Sequence, residues 1–118
     1  MDIRRQLHQY PEVGFDLEKT VKLVSEELEK MGITYTHKYG KGSVVAELGQ
    51  GDKTIALRAD MDALPVEEKT KLPYKSKIPG QMHACGHDAH TAILLAVAKY
   101  LKERKRTQMQ GKTYFSAK

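Results

Sequence analysis

Apolar residues recur at Leu17, Val21, Val24, Leu28 and Met31, at steps of four, three, four and three. That spacing puts them on one face of an amphipathic helix. Asp16 stands where an N-cap side chain belongs, and Gly32 where a left-handed residue closes a helix. A shorter helix is predicted over residues 4–10. It stops at Pro11, because the residue before a proline is pushed out of helical space. Glu12-Val13-Gly14-Phe15 then reads as a turn.

Downstream the period changes. Residues 33–36 and 43–48 are short and rich in β-branched side chains, as strands are, with Gly40-Lys41-Gly42 between them. Gly49-Gln50-Gly51-Asp52 predicts a turn. Residues 54–59 are mostly apolar without alternation, the pattern of a strand buried on both faces. Pro65, Pro73, Pro79 and Gly80 make 61–81 a long irregular loop, of a kind that usually serves function in a compact domain. Residues 92–101 are apolar nearly all round and predict a buried helix. Helix, strands and helix in this order give an α/β fold, a layered sheet with helices on both faces. There is no internal repeat and no low-complexity segment.

A chain of 118 residues suffices for one small domain. No apolar run approaches the roughly 20 residues of a membrane span, and the first residues lack the apolar stretch of a signal peptide. The single cysteine, Cys85, excludes an internal disulfide and fits a reducing, cytoplasmic setting. The net charge of +5 is confined to the tail: residues 99–118 hold seven Lys and Arg against Glu103 alone, whereas 1–98 hold thirteen against fourteen Asp and Glu. No aromatic residues interleave with those cations as a stacking platform would require, so a nucleic-acid partner is not expected.

Two segments carry chemistry. Arg58-Ala59-Asp60-Met61-Asp62-Ala63-Leu64-Pro65 brings two carboxylates to the end of a strand, where ligands gather in open α/β sheets. They can orient a metal-bound imidazole or bind the metal; read alone, they also fit a strand end followed by a solvated turn. In His83-Ala84-Cys85-Gly86-His87-Asp88-Ala89-His90, three of the five histidines and the only cysteine fall within eight residues. Thiolate and imidazole are the usual ligands of zinc and its neighbours. Gly86 lets the backbone bend between them, and Asp88 or His90 can orient a ligand or cap the following helix. No second cysteine pair exists, so this is not a closed four-ligand zinc finger. Leu7-His8-Gln9-Tyr10-Pro11-Glu12 sets a histidine and a glutamate at a helix end, by itself more typical of a surface than of a site.

Taken together, Arg5, Leu7-His8 and Pro11-Glu12, then residues 58–65, then 83–90, resemble the aminoacylase and hippurate-hydrolase branch of the dinuclear metallopeptidases. That branch includes bacterial N-acyl-L-amino-acid amidohydrolases, N-acetyldiaminopimelate deacetylases and plant auxin-conjugate hydrolases. The resemblance runs from Arg4 to about Lys105, and its third motif is the most specific. It implies that Cys85 and His87 are metal ligands and that Asp60 supports the site from the strand end. His8, Asp62 and His90 match recurrent positions of the branch, and with Asp88 they are the candidates for the surrounding shell. It implies two divalent ions, manganese, zinc, cobalt or nickel, that polarise an amide carbonyl and activate water, and a glutamate that moves the proton to the leaving amine.

The substrate implied is an N-acyl amino acid. Residues 1–118 would then be the N-terminal third, roughly, of a catalytic domain, incomplete and without the family's dimerisation domain. The family's paired glutamates and later histidines have no counterpart here, and residues 106–110 look atypical. The expectation is therefore a metal-dependent amidohydrolase in kind, with this chain alone an inactive fragment holding at most a partial metal site. Two alternatives stand beside it: one half of a split enzyme completed by a second polypeptide, and a non-catalytic metal-binding or interaction module. Self-association is expected if apolar surface stays uncovered. The acyl group, the amino acid and the preferred metal are left open.

Overall fold

The computed structural model describes residues 2–38, 40–49, 54–104 and 112–117. Its elements are α1 (Asp2–Gln9), α2 (Glu18–Met31), β1 (Thr34–Thr36), β2 (Val44–Gly49), β3 (Thr54–Ala59), α3 (His87–Arg104) and β4 (Lys112–Ala117). All three helices and the three strands expected from the pattern form, and β4 adds a fourth strand. The turn expected at Gly49-Gln50-Gly51-Asp52 lies, from Gln50 onward, outside the described residues, as do residues 106–110.

The four strands make one mixed sheet in the order β1-β2-β4-β3. β4 runs antiparallel to β2 and parallel to β3, so β3, α3 and β4 form a crossover unit with the helix laid back on the sheet. β2 alternates: Val44, Ala46 and Leu48 are buried, while Glu47 points out. One face is therefore apolar, and α2 and α3 pack on it. Leu17, Val24, Leu28, Ile33, Met61, Leu95 and Ala98 complete a single core with these three residues. The α/β layering is as expected. Helices on both faces are met on one side only among the described residues, because β2 supplies one apolar face.

Two further expectations are corrected. β3 is not buried on both faces. Among the described residues it pairs only with β4 and ends the sheet, and Ile55 is 64% exposed. Nor is α3 buried all round: Thr91, Leu95 and Ala98 face the core, whereas Ile93 is 61% and Tyr100 55% exposed.

The start of α2 also departs from expectation. Asp16 does not cap it; that carboxylate is exposed and lies 2.6 Å from the Lys41 ammonium. The cap comes from Glu12, whose carboxylate accepts hydrogen bonds from the Lys19 and Thr20 backbone N–H groups and from the Thr20 hydroxyl, at 3.2, 2.7 and 2.7 Å. Sequence distance hid this, since a cap is ordinarily sought within a residue or two of the first turn. The Glu12 carbonyl accepts from Ala63 N–H at 2.7 Å, so the same residue holds the chain that follows β3. At the other end Gly32 closes α2 as expected, at φ 73°, ψ 28°.

Met61, just beyond β3, has no exposed surface and belongs to the core. Met61→Ala is expected to lower the unfolding free energy by about 2–5 kcal/mol, the usual cost of emptying such a site. Urea denaturation followed by circular dichroism measures it; a loss within error of zero would mean that Met61 does not anchor the strand end.

Candidate functional site

Side chains alternate across extended chain, so burying Met61 sends its neighbours elsewhere. Asp60 and Asp62 line a cleft of about 390 Å³ together with Gly14, Phe15, Arg58 and His87. Asp60 is held by Arg58, Nη2 to Oδ1 at 2.7 Å, and its backbone oxygen accepts from the buried Thr91 hydroxyl at 3.0 Å. The strand end is thereby fastened to α3.

Asp62 takes the second position. His87 Nδ1 lies 2.9 Å from its carbonyl oxygen and 3.0 Å from its Oδ1. Both are acceptors, so Nδ1 is the nitrogen that carries the proton and donates, and Nε2 keeps a free lone pair. This is the arrangement by which metal-binding histidines are commonly oriented. Cys85 is exposed two residues earlier. Gly86 between them sits at φ 82°, a left-handed conformation costly for any residue with a Cβ. As candidate donors, a thiol and an imidazole suit a thiophilic divalent ion better than magnesium or calcium, which take oxygen ligands. Among the described residues, no three His, Cys, Asp or Glu side chains are gathered to hold a metal ion.

His8 and Asp88 are in the interior and do not line the cleft. His8 Nδ1 lies 2.8 Å from Asp88 Oδ2, and its Nε2 lies 3.1 Å from both oxygens of Glu68. Arg4 Nε is 3.3 Å from the same Asp88 oxygen. Burial pushes the Glu68 carboxyl up, but hydrogen bonds from the Thr70 hydroxyl, the Ser76 backbone N–H and His8 outweigh it and hold the group below its ordinary value. His83 is buried, with neither ring nitrogen hydrogen-bonded among the described residues, and desolvation lowers its affinity for a proton despite the pull of Asp88. His90 is exposed, its ring 5.9 Å from that of His87.

The structure thus brings Asp60, Asp62 and His87 to one cleft, leaves Cys85 and His90 exposed nearby in the chain, and draws His8 and Asp88 inward. Arg4 and Glu68 were not anticipated. Glu68 sits in a stretch of alternating charge and proline where periodicity carries no information, and its burial arises only from the folding back of the loop.

Residues 56–116 match the sequence model of the peptidase family M20/M25/M40. The IAA-amino acid hydrolase ILR1-like 5 of Arabidopsis thaliana is 51% identical over 110 residues, which cover 92% of this chain and 25% of that protein. The hippurate hydrolase of Campylobacter jejuni is 55% identical over 101 residues, 84% of this chain and 26% of the other. In structure, the Bacillus subtilis protein YXEP, a dinuclear metal-binding peptidase of the M20 family, superposes with a TM-score of 0.92 at 40% identity, over 98% of this chain and 33% of that one. The chain spans about a quarter of the length of the curated relatives it matches.

The Glu68 carboxyl generates a pH prediction. Its value in the folded chain lies below the ordinary 4.5. The stability it contributes is therefore fully present above 4.5 and is lost as pH falls through the lower, folded-state value. Thermal midpoints measured from neutral to acid pH should fall below that point in the wild type, and less steeply in Glu68→Gln. Parallel curves would show that Glu68 ionises alike in the folded and unfolded chains.

Proposed function

This chain belongs to peptidase family M20/M25/M40, on its aminoacylase and hippurate-hydrolase branch, and from that premise we propose that it carries the first half of a metal site for cleaving N-acyl amino acids. The observation that carries the reading is the double contact of His87 Nδ1 with Asp62, which leaves Nε2 as a ligand close in sequence to the Cys85 thiol. In the reading, Cys85 and His87 are ligands, Asp62 holds the proton on Nδ1, and Asp60 braces the strand end through Arg58 and Thr91. When bound, a pair of divalent ions such as manganese, zinc, cobalt or nickel would polarise the amide carbonyl and activate water. His90, exposed beside His87, belongs to the rim of the same site.

The two acids lining the cleft are already engaged, Asp60 with Arg58 and Asp62 with His87. Neither stands at the family position of the general base that moves a proton from water to the leaving amine, a service worth about 10²–10⁴-fold in rate. Two donors also fall short of the about four that a stable zinc site uses. The chain alone, residues 1–118 as a partial catalytic domain, is therefore read as inactive. A complementing polypeptide is the second reading. It is favoured by the edge of β3, unpaired among the described residues, and by the exposed side chains Ile55, Ile93 and Tyr100, which otherwise promote self-association. No described helix is long and apolar enough to cross a membrane. A cytoplasmic setting suits the reading, because an exposed thiol must stay reduced to serve as a ligand.

With manganese or zinc supplied, the chain alone should release no amine from N-acetyl-methionine or hippurate, and calorimetry should find only weak zinc binding. Turnover should appear when a polypeptide covering the remainder of a full-length relative is added, and Cys85→Ala should abolish it. Turnover by the chain alone, lost in Cys85→Ala, would refute the partial-site reading. A second expectation concerns the uncovered apolar face: Ile93→Lys should lower the self-association seen by sedimentation velocity, and an unchanged profile would acquit that face.

A further inference from the structure

The interior cluster around His8 performs no step in the proposed chemistry, yet it is built with more partners than any group in the cleft. We propose that His8 is a positioning residue: by bridging Asp88 and Glu68 in the interior, it fixes the first turn of α3 and so sets the direction of His87. The proposal rests on the reading of His87 as a ligand, but its geometry stands independently.

His87 and Asp88 are consecutive residues that open α3. Successive side chains on a helix diverge by about 100°. One can face the cleft while the other faces the interior, and this is the arrangement seen: His87 lines the cleft and Asp88 is 1% exposed. Whatever fixes Asp88 therefore fixes the rotation of the helix start about its own axis, and with it the line from His87 to Asp62.

Asp88 is fixed through a single oxygen. Oδ2 lies 2.8 Å from His8 Nδ1, with Arg4 Nε at ion-pair distance, 3.3 Å, but not hydrogen-bonded, and the buried Oδ1 has no hydrogen-bond partner among the described residues. His8 does not pivot freely on that bond. Its Nε2 is held by both oxygens of Glu68 at 3.1 Å, and Glu68 is held in turn by Ser76 N–H at 2.7 Å and by Thr70. The edge of Tyr74 meets the imidazole at a centroid distance of 5.8 Å, and Arg5 lies over the Tyr74 ring. The two ring nitrogens of His8 thus each face a buried carboxylate, one from α3 and one from the long loop. Buried ionic clusters seldom stabilise a fold more than a well-packed apolar core would, and their best-attested use is to select one geometry among several. Here the geometry selected is the register of α1, the long loop and the start of α3.

The test separates the two arms of His8. His8→Asn places an amide N–H where Nδ1 donates and keeps the Asp88 arm; His8→Gln reaches instead toward Glu68 and loses it. The readout is the ring tautomer of His87 in the metal-free full chain. Long-range proton–nitrogen correlation measures it, at a pH roughly two units above the ordinary imidazole value so that the ring is neutral. Wild type and His8→Asn should show His87 as the Nδ1–H form, and His8→Gln a mixture of both tautomers. If His8→Gln does not fold, Asp88→Asn replaces it with the same expectation. A wild-type ring that is not Nδ1–H overturns the proposal, and so does a His8→Gln ring unchanged from wild type, even if its thermal midpoint falls. Cobalt titration of the wild type, carried to the millimolar concentrations (on the order of 1 mM) that fill a weak site, tests the underlying reading separately. A thiolate-to-cobalt absorption band that disappears in Cys85→Ala supports Cys85 as a ligand, and its absence refutes that role while leaving the tautomer to decide the positioning claim.

Discussion

The burial of Met61 is the constraint on which the cleft depends. A methionine side chain removed from water contributes about 1.5–3 kcal/mol, and this one has no exposed surface. Because extended chain alternates, that burial leaves Asp60 and Asp62 no room in the core. Each is then engaged by a group that reaches the strand end from elsewhere: Arg58 from within β3, Thr91 and His87 from α3. An apolar anchor between two carboxylates turns a hydrophobic preference into a polar arrangement. Neither aspartate needs a strained backbone to occupy its place, since among the described residues none other than glycine has a positive φ.

Most of the fold was legible in the sequence, and the exceptions have a common cause. The stripe of α2 and the left-handed closure at Gly32 follow from local periodicity and local sterics, and both are found. What could not be read is which element lies beside which. An unbroken apolar run such as β3 suits an interior strand, yet sheet order makes β3 an edge and exposes Ile55. The cap of α2 by Glu12 and the burial of Glu68 also depend on the chain folding back, across 8 and 60 residues in sequence to Thr20 and His8. Local rules weigh Asp16 more heavily than Glu12, and the structure leaves Asp16 paired with Lys41 in solvent.

The site was legible in kind rather than in wiring. Clustering of thiol and imidazole in residues 83–90 pointed to metal chemistry, and the strand-end carboxylates to its support. Which aspartate meets the imidazole depends on the depth of α3 against β3, a tertiary quantity: Asp62 meets it, and Asp60 turns to Arg58. Likewise His8 stands at a helix end where exposure is the rule, and only the packing of α1 against α3 buries it.

The described helices also explain why the cleft is open. α2 and α3 cover the face of the sheet that bears Val44, Ala46 and Leu48, whereas the cleft opens where β3 ends. The ends of strands in an open α/β sheet are the one place where backbone direction, helix starts and loops converge without filling the space. Here α3 begins at His87, so its first turn lies at that end, and the residues that fix this turn reach it from the opposite side, through the interior. The polar groups of the cleft and those of the interior are thus two sides of one helical turn. The cleft side can exchange partners with a ligand. The interior side cannot, because Asp88 and Glu68 are shut away from water and are held by His8 on the protein's own terms.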